Sequence, residues 1–524
     1  MALVARDADP DAASGARLCE IVASISLAAD LGLGQPMEHV LRSCLIATEL
    51  ARLLELPDEE REATYWVTLL VTAGCTGVSY ELAQVFGDDI ALRSGMHGIG
   101  PSTGAQLRYF LGRAGADRSA LGRTALRADL LRTRMRALET SLSAHCAVSG
   151  RLGDRVGLGA DVSSALAQTF ARWDGRGIPR GLGGEQIALP MRVCQLAVTM
   201  EVREREAGLE ASVDLARRLS GSVLDPSLVT SWSRFAVEAI AWVDERSPWE
   251  GVVAAEPPQR GPLAERELDD ALEVIADYAD LKSPWFSGRS RGVAELVTAA
   301  ARHAGRSEAD VTTVRRAALL HDLGRNGVPN TVWDKPGPLT DPEHERMRLH
   351  AYYTDRVVRR SGALARLAPI ASAAQEREDG SGYPRGLSGD TIPVLGRLLA
   401  AADVYHAMLE PRPHRPALSR EAAARELRDM VRAGRLHGPS VDAVLAAAGH
   451  RSRRKPSAPA GLTAREVEVL ELVARGATLR EVGARLGIAA KTAGNHVERI
   501  YAKAGVSSRA EAAMFAMQHG LLTP

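Results

Sequence analysis

An internal repeat limits what this chain can fold into more than any other feature of its sequence. The segment RWDGRGIPRGLGGEQI, from Arg172, matches REDGSGYPRGLSGDTI, from Arg377, at an offset of 205 residues (377 − 172). Further upstream, LLVTAGCTG, from Leu69, matches LLHDLGRNG, from Leu319, at an offset of 250 residues (319 − 69). Because a repeated segment indicates a repeated structural unit, the sequence predicts two copies of one domain.

The two offsets also define which positions of the copies are equivalent. They pair His39 with Arg289 at offset 250, and His145 with His350 at offset 205. The offsets differ by 45 residues (250 − 205), so the first copy is predicted to carry an insertion between Cys75 and His145. The glycine-rich stretch SGMHGIGPSTGAQ is the expected position of that insertion.

Helical periodicity predicts an all-α fold. Apolar residues recur at i, i+3 and i+4 from Arg17 to about Ala207, as in CLIATELARLLEL, and strand patterns are scarce. The chain has 45% hydrophobic and 25% charged residues and no net charge, which is ordinary for a soluble globular protein and indicates no particular partner. Its 524 residues suggest about three or four domains.

Composition predicts where these domains begin and end. The stretch SPWEGVVAAEPPQRGPLAE is rich in proline and glycine, and HRSRRKPSAPAG is basic; both are typical of linkers. The predicted organisation is a disordered tail at 1–16, a first helical block at 17–245, a linker at 246–265, a second block at 266–448, a basic linker at 449–460 and a small C-terminal domain at 461–524.

Cysteine usage and the N-terminal segment favour a cytoplasmic protein. The five cysteines form no CxxC pair, so neither a disulfide framework nor a zinc site is indicated. The start, MALVARDADPDAASGA, lacks the basic and apolar regions of a signal peptide, and there is no run of about 18 apolar residues. We therefore expect a cytoplasmic protein without a membrane partner.

Histidine and aspartate residues in the second copy suggest metal chemistry. HDLGR places His321 beside Asp322 at the end of the apolar helix VRRAALL. An imidazole next to a carboxylate can hold a divalent metal that activates water. His350 and Asp403, the latter in LLAAADVYHAM, follow downstream. These four residues are the predicted ligands of one metal, with His321 and Asp322 as the catalytic pair.

Together with the motif DGSGYP, these residues resemble the HD-GYP family of phosphodiesterases. The resemblance covers residues 281–416, from LKSPWFSGRSRGVAEL through KPGPLTDPEHERMRLH to RPHRP. It implies an all-helical fold with a bi- or trinuclear metal centre that hydrolyses cyclic di-GMP. By this resemblance, Arg377, Gly382, Tyr383 and Pro384 are the expected ligand-binding residues.

The second copy departs from the family pattern at four positions. Arg289 stands where the family has its first ligand histidine, and Arg325 replaces the lysine that usually follows HDxG. Ala374 and Gln375 stand where the family has a pair of histidines. The remaining ligands suffice for one metal, such as iron or manganese, but not easily for two, and a guanidinium at position 289 opposes a dication. The alternative is that the His-Asp pair only forms hydrogen bonds to itself and to the backbone.

The first copy has lost more of the family pattern. His39 and His145 persist there, but two separated histidines cannot assemble a metal site, and both are interpreted as structural. We expect this block to serve as a scaffold, dimerisation or sensory module. The replaced positions are Val71, Thr72, Thr169, Phe170 and Val198.

The C-terminal segment predicts a helix-turn-helix. Thr463 with Glu466, and Thr478 with Glu481, are capping-box patterns that begin helices. A short turn at 486–489 then leads into the next helix, as in domains that place that helix in a major groove.

The helix after this turn carries a polar stripe. Such a stripe suits phosphate and base-edge contacts, although a solvated face or a protein-binding bundle gives the same pattern. The segment resembles LuxR-type DNA-binding domains in LTxRExxVL, KTxxNHV, IYxK and SSRAEAA, which favours DNA. In that family a serine usually caps this helix where Ala489 stands, and residues 509–519 correspond to the dimer contact. The predicted DNA-binding residues are Lys491, Thr492, Asn495, His496, Arg499 and Lys503.

Two functions from different classes are compatible with these patterns. The first is a cytoplasmic transcriptional regulator that binds double-stranded DNA as a homodimer and in which the degenerate repeats sense or assemble. The second is a metal-dependent phosphohydrolase, acting on a cyclic dinucleotide or another phosphoester, with an attached DNA-binding domain. A cyclic dinucleotide or other nucleotide is a candidate ligand in either case.

Overall fold

The structure, a computed structural model, describes residues 15–96, 103–115, 118–132, 136–257, 261–450, 459–506, 508–519 and 521. Over these residues the chain is helical and contains isolated β-bridges but no β-strand, which confirms the all-α prediction. The chain divides into two compact units, Met1–His450 and Arg451–Pro524, and each is described separately.

The helices of the first unit fall into two sets, one for each predicted copy. The first set is α1 (Leu18–Leu33), α2 (His39–Leu53), α3 (Asp58–Leu70), α4 (Ser79–Phe86), α5 (Asp89–Ser94), α6 (Thr103–Arg113), α7 (Ala120–Arg132), α8 (Arg136–Arg155), α9 (Ala160–Leu166), α10 (Leu189–Ala207), α11 (Leu209–Leu219), α12 (Pro226–Asp244) and α13 (Pro248–Ala254). The second set is α14 (Glu265–Asp280), α15 (Arg289–His303), α16 (Glu308–Leu320), α17 (Asn330–Trp333), α18 (Asp341–Val358), α19 (Ala368–Ala371), α20 (Val394–Leu409), α21 (Arg420–Arg432) and α22 (Gly438–Ala447).

Helices of the two sets begin at the separations found in the sequence repeat. α2 begins at His39 and α15 at Arg289, 250 residues apart (289 − 39). α10 and α20 begin 205 residues apart (394 − 189). The residues that precede α2 and α15 share a left-handed backbone, with φ of 80° at Glu38 and 75° at Gly288. These correspondences support the interpretation of two copies of one domain.

The two predicted copies share one hydrophobic core. α1 packs against α14 and α18, and Glu20 accepts a hydrogen bond of 2.9 Å from Ser361. The predicted linker at 246–265 is wrong over its first half, because α13 lies there and buries Trp249 and Val252 in this core. The tail predicted at 1–16 also ends earlier, since Ala16 is buried; residues 1–14 lie outside the described part.

The insertion predicted in the first copy contains α4 to α7. Their apolar side chains form a small core that is separate from the main core. This small core includes Phe86, Leu92, Phe110 and Leu130. Part of the glycine-rich stretch, residues 97–102, lies outside the described residues. The insertion is therefore a small helical layer added to the repeat.

The second unit is a compact bundle of four helices, α23 (Ala464–Ala474), α24 (Leu479–Leu486), α25 (Ala490–Ala504) and α26 (Arg509–Gln518). Both predicted capping boxes are present, at Thr463 with Glu466 and at Thr478 with Glu481. Gly487 ends α24 in a left-handed conformation, with φ of 66°. The basic linker predicted before this unit falls mostly on residues outside the described part.

One helical stretch, 58–86, is long and apolar enough to cross a membrane by length and composition alone. However, 67% of its most apolar 18-residue segment is buried inside the protein, as expected for a core helix. This is weak evidence for a membrane span.

Candidate functional site

Three of the four predicted metal ligands lie together in the second copy. α16 ends immediately before His321 and Asp322, and α20 carries Asp403. Ligand atoms of these three buried residues lie within 4.8 Å of one another. Gly324 lets the segment after Asp322 contact α18 closely, because a Cβ there would lie 2.1 Å from the carbonyl oxygen of His350.

The guanidinium of Arg289, the first residue of α15, lies among the carboxylates of this cluster. It donates to Asp403, its Nη1 lies 2.8 Å from Glu410 Oε2, and its Nε lies 3.4 Å from Asp322 Oδ2. Only 2% of the side chain is exposed. One buried guanidinium therefore contacts three carboxylates, one of which, Glu410, was not predicted from the sequence.

A second guanidinium approaches the same aspartate. Arg325 Nη2 lies 2.7 Å from Asp322 Oδ2. The Arg325 guanidinium is held over the ring of Phe286, 4.2 Å from its centroid, and lies 5.5 Å from that of Trp333. Stacking on aromatic faces stabilises a cation that has lost its water, so the two rings help the site to hold Arg325.

The electrostatics favour a charged histidine. His321 Nδ1 donates to the Ala318 carbonyl at 2.6 Å, while Nε2 lies 3.0 Å from Asp322 Oδ2 and 3.2 Å from Asp403 Oδ1. Burial opposes the charge, but the two carboxylates outweigh it and raise the pKa of His321 to about 10. Burial is likewise outweighed at Asp322, where Arg325, His321 and Arg289 hold the pKa well below its usual range.

The fourth predicted ligand, His350, is not part of the cluster within 4.8 Å. Its Nδ1 bonds a backbone carbonyl of its own helix at 2.6 Å, and its ring packs edge-on against Trp333 and Tyr383. Burial lowers the pKa of His350 to about 4, so the ring is neutral near pH 7. Gln375, at a position where the family has a histidine, donates to Asp403 Oδ2 at 3.0 Å instead.

These residues do not fit a divalent metal. Both oxygens of Asp403 are engaged, and Oδ2 of Asp322 faces two guanidiniums and an imidazolium. Of the carboxylate oxygens of Asp322 and Asp403, Asp322 Oδ1 is the one buried oxygen without a hydrogen-bond partner among the described residues. A catalytic metal takes about three protein ligands. Four cations, Arg289, Arg325, Arg412 and the protonated His321, already face three carboxylates, so a dication would add uncompensated positive charge.

An arginine-lined cavity of about 280 Å³ opens beside this cluster. Arg377 is mostly buried and donates only to the carbonyls of Ala374 and Glu376, with no described carboxylate within 4.0 Å. Of the predicted ligand-binding residues, Arg377, Gly382 and Tyr383 line the cavity and Pro384 does not. The lining residues are Arg348, Gln375, Arg377, Ser381, Gly382, Tyr383, Met430 and Arg435.

The first copy contains an ion pair and a neutral histidine where the second has its cluster. His39, at the position of Arg289, forms a buried pair with Glu201. His145 Nε2 lies 2.8 Å from the Val71 carbonyl, and its ring packs edge-on against Phe170. Over the described residues, no metal-binding group is found in this copy.

The environment of His145 predicts a loss of stability in acid. Burial lowers the pKa of His145 to about 4, below the usual value near 6.5. The unfolded chain therefore binds a proton that the folded chain excludes as the pH falls from about 6.5 to about 4, which costs up to about 3 kcal/mol. We expect His145→Gln to flatten the pH dependence of the unfolding free energy in this window. Equal slopes for both proteins in urea melts would contradict this expectation.

In the second unit, α25 presents most of the predicted DNA-binding residues to solvent. Lys491, Thr492, Asn495 and Arg499 are exposed, and His496 is partly buried. α25 begins without a side-chain cap at Ala489. The helix is therefore preformed, with its polar stripe accessible.

Lys503 is also exposed, but it has a carboxylate partner within the unit. Its Nζ lies 2.7 Å from Glu466 Oε2 and 3.3 Å from the Gly461 carbonyl. Since Glu466 also closes the capping box of α23, the exposed Lys503 stabilises the start of that helix as well. The spacing of residues along α25 gave no signal of this pairing, because Glu466 lies 37 residues away in sequence.

Family models match both units. Residues 273–438 match the HD domain, and residues 460–516 match the luxR family of bacterial regulatory proteins. The chain thus contains an HD domain followed by a LuxR-type DNA-binding domain, as the resemblances predicted.

Similar proteins include enzymes that act on cyclic dinucleotides. The chain is 29% identical over 412 residues to 3'3'-cGAMP-specific phosphodiesterase 3 of Vibrio cholerae, covering 76% of this chain and 88% of that protein. It is 37% identical over 184 residues to a cyclic di-GMP phosphodiesterase of Thermotoga maritima, covering 33% of this chain and 47% of that protein. A crystal structure of a cyclic GMP-AMP-specific phosphodiesterase of V. cholerae matches with a TM-score of 0.58 at 25% identity, over 83% of this chain and 98% of that one.

Proposed function

We propose that this protein is a cytoplasmic DNA-binding transcriptional regulator whose HD domain does not hydrolyse phosphodiesters and serves as a sensory or assembly module. The observation that carries the proposal is the Arg289 guanidinium, which contacts Asp322, Asp403 and Glu410 at the centre of the candidate site. A guanidinium cannot coordinate water and lower its pKa as a metal ion does. The cluster therefore lacks a means of generating a nucleophile.

Hydrolysis is tested with metal-loaded protein. Full-length protein is incubated with cyclic di-GMP or 3'3'-cGAMP and Mn²⁺ or Fe²⁺, and linear products are separated by chromatography. We expect no turnover above that of Asp322→Ala. Metal-dependent turnover that disappears in Asp322→Ala would overturn the non-hydrolytic part of the proposal and favour the phosphohydrolase.

DNA recognition is tested separately. Full-length protein is used to select duplexes from a genomic fragment library, and binding to an enriched fragment is measured by fluorescence anisotropy. Lys491→Ala and Asn495→Ala should each weaken binding to that fragment by roughly 1–3 kcal/mol if their side chains reach base edges. Glu498→Gln, at a neighbouring exposed position of α25, serves as a control for general perturbation of the helix. A library that yields no enriched sequence would argue against the regulator.

A second candidate role for the HD domain is that of a nucleotide receptor. The cavity lined by Arg348, Arg377 and Arg435 favours it, because Arg377 is a mostly buried guanidinium without a carboxylate partner among the described residues. Guanidinium groups recognise phosphates through paired hydrogen bonds. The relatives' substrates make a cyclic dinucleotide the first ligand to try.

Receptor function predicts binding without a metal. In the presence of EDTA, cyclic di-GMP or 3'3'-cGAMP should raise the melting temperature of the wild type, and Arg377→Gln should remove the shift. Arg366→Gln, which changes an exposed arginine away from the cavity, should retain it. No shift with either nucleotide in the wild type would rule out these two ligands.

A further inference from the structure

The insertion in the first copy carries a local excess of positive charge within the first unit. Between Thr103 and Arg132 the sequence contains six arginines and two aspartates, a net charge of +4 (6 − 2). The second unit, residues 451–524, is also basic, with twelve lysines and arginines against six acidic residues, a net charge of +6 (12 − 6). The whole chain is neutral, so this charge on α6 and α7 is a local concentration.

Most of these arginines have no carboxylate partner among the residues that the structure describes. Arg132 pairs with Asp129 at 2.8 Å. By contrast, Arg118, Arg123 and Arg127 donate to the backbone carbonyls of other residues, which carry no net charge. Over the described residues, no carboxylate lies within 4.0 Å of these three, nor of the other two. The five arginines form what we call the α6–α7 basic surface: Arg108, Arg113, Arg118, Arg123 and Arg127.

The surface is held in place by the fold. The small core of Phe86, Phe110 and Leu130 packs α6 and α7 together. Arg113 stacks on Tyr109 at 4.2 Å from the ring centroid, and the Tyr109 hydroxyl donates to the Leu92 carbonyl at 2.6 Å. The arginines of the basic surface therefore lie on helices that share a small apolar core.

Elsewhere in the unit, arginines on the surface are commonly neutralised. Arg291 pairs with both Glu273 and Asp277, and Arg315 pairs with Glu273 and Asp269. Arg266, Arg306 and Arg428 likewise have no described carboxylate within 4.0 Å, but five such arginines lie close together in sequence between residues 108 and 127. Such groups attract polyanions, whose binding releases condensed counterions.

We propose that the α6–α7 basic surface binds the phosphate backbone of double-stranded DNA without reading its sequence. DNA is the polyanion that this chain meets, because its C-terminal unit is a LuxR-type DNA-binding domain. A membrane is less suited, since the exposed Leu121 and Leu131 of α7 lie ten residues, or about 15 Å, apart along the helix and form no continuous apolar face. The inference holds whether or not the HD domain hydrolyses a substrate.

The test measures the salt dependence of nonspecific binding. Full-length protein carrying Asn495→Ala, which weakens base recognition, is titrated onto a random-sequence duplex at several salt concentrations by fluorescence anisotropy. Adding Arg108→Gln, Arg113→Gln and Arg118→Gln should reduce the slope of log K against log salt by roughly 2–3, about 0.9 for each phosphate that the protein no longer neutralises. Changing the same three arginines to lysine should preserve the slope.

A matched control removes the same charge elsewhere. Arg266, Arg306 and Arg428 are exposed arginines of the first unit outside the insertion, and their change to Gln should leave the slope unaltered. Equal slope changes in both glutamine triples would mean a general charge effect and would overturn the proposal. So would an unchanged slope in both, or binding to anionic phosphatidylserine vesicles that depends on these arginines while DNA binding does not. Promoter-fragment binding by the wild type is measured in parallel, so failure here is distinct from failure of the regulator proposal.

Discussion

Replacing Arg289 with alanine is expected to lower the unfolding free energy by about 3–5 kcal/mol, because it leaves buried carboxylates without their shared cation. The guanidinium contacts Asp322, Asp403 and Glu410, and it is 2% exposed. Arg291→Ala is the matched control. It lies two positions along the same helix, and its pairs with Glu273 and Asp277 are partly exposed, so we expect a loss of about 1 kcal/mol or less.

The same variant should acquire a response to metal. Removing the guanidinium leaves space and negative charge where His321, Asp322 and Asp403 converge, so Mn²⁺ should raise the melting temperature of Arg289→Ala and more so of Arg289→His. The melting temperature of the wild type should be the same in Mn²⁺ as in EDTA. Thermal melts with each addition provide the measurement. A wild type stabilised by Mn²⁺ as much as the variant would show that the guanidinium does not exclude the metal.

The sequence was sufficient to predict that Arg289 opposes a metal, but not which groups neutralise its charge. The family resemblance placed Arg289 at a ligand position, and a fixed positive charge there was expected to oppose a dication. Which groups would neutralise that charge depends on long-range packing: Glu410 lies 121 residues from Arg289, and the ring of Phe286 under Arg325 comes from a different segment. Motif comparison covers positions that a family shares and gives no information about such compensating interactions.

Interactions between residues close in sequence were predicted more reliably than contacts between residues far apart in sequence. The capping boxes at Thr463 and Thr478 depend on residues three positions apart, so the sequence alone specifies them. Lys503 shows the limit of this reasoning. Helical spacing placed it on the polar stripe, but a lysine side chain can turn toward any nearby carboxylate, and the fold brings Glu466 to it. The prediction of a linker at 246–265 was wrong over its first half for a similar reason. Trp249 is buried in the main core, which consists largely of distant residues, and this burial favours the helix α13.

A buried ion cluster between the copies supports the second large prediction. Lys282 Nζ lies 2.8 Å from Asp89 Oδ2, and Arg93 Nη1 lies 2.9 Å from the same oxygen. The other oxygen of Asp89 accepts a 2.9 Å hydrogen bond from the backbone of Asn330. Lys282 and Asp89 are fully buried, and they join the segment after α14 to α5 of the insertion.

Asp89→Ala should therefore cost about 3–5 kcal/mol, because it leaves two cations buried without a counter-charge. Lys282→Met alone should cost less, since Arg93 still neutralises Asp89. The double variant Asp89→Ala/Lys282→Met should be more stable than the sum of the single losses predicts, with a coupling of roughly 0.5–3 kcal/mol. Urea melts of the four proteins measure this coupling.

The control is a pair that also joins the copies but lies at the surface. Arg155 is 2.6 Å from Asp277, and 42% of its side chain is exposed, so Arg155→Ala should cost about 1 kcal/mol or less. If Asp89→Ala costs no more than Arg155→Ala, this buried cluster does not contribute more to joining the copies than a surface pair does. If the large loss and the coupling both appear, the insertion is fastened to the HD domain by this cluster.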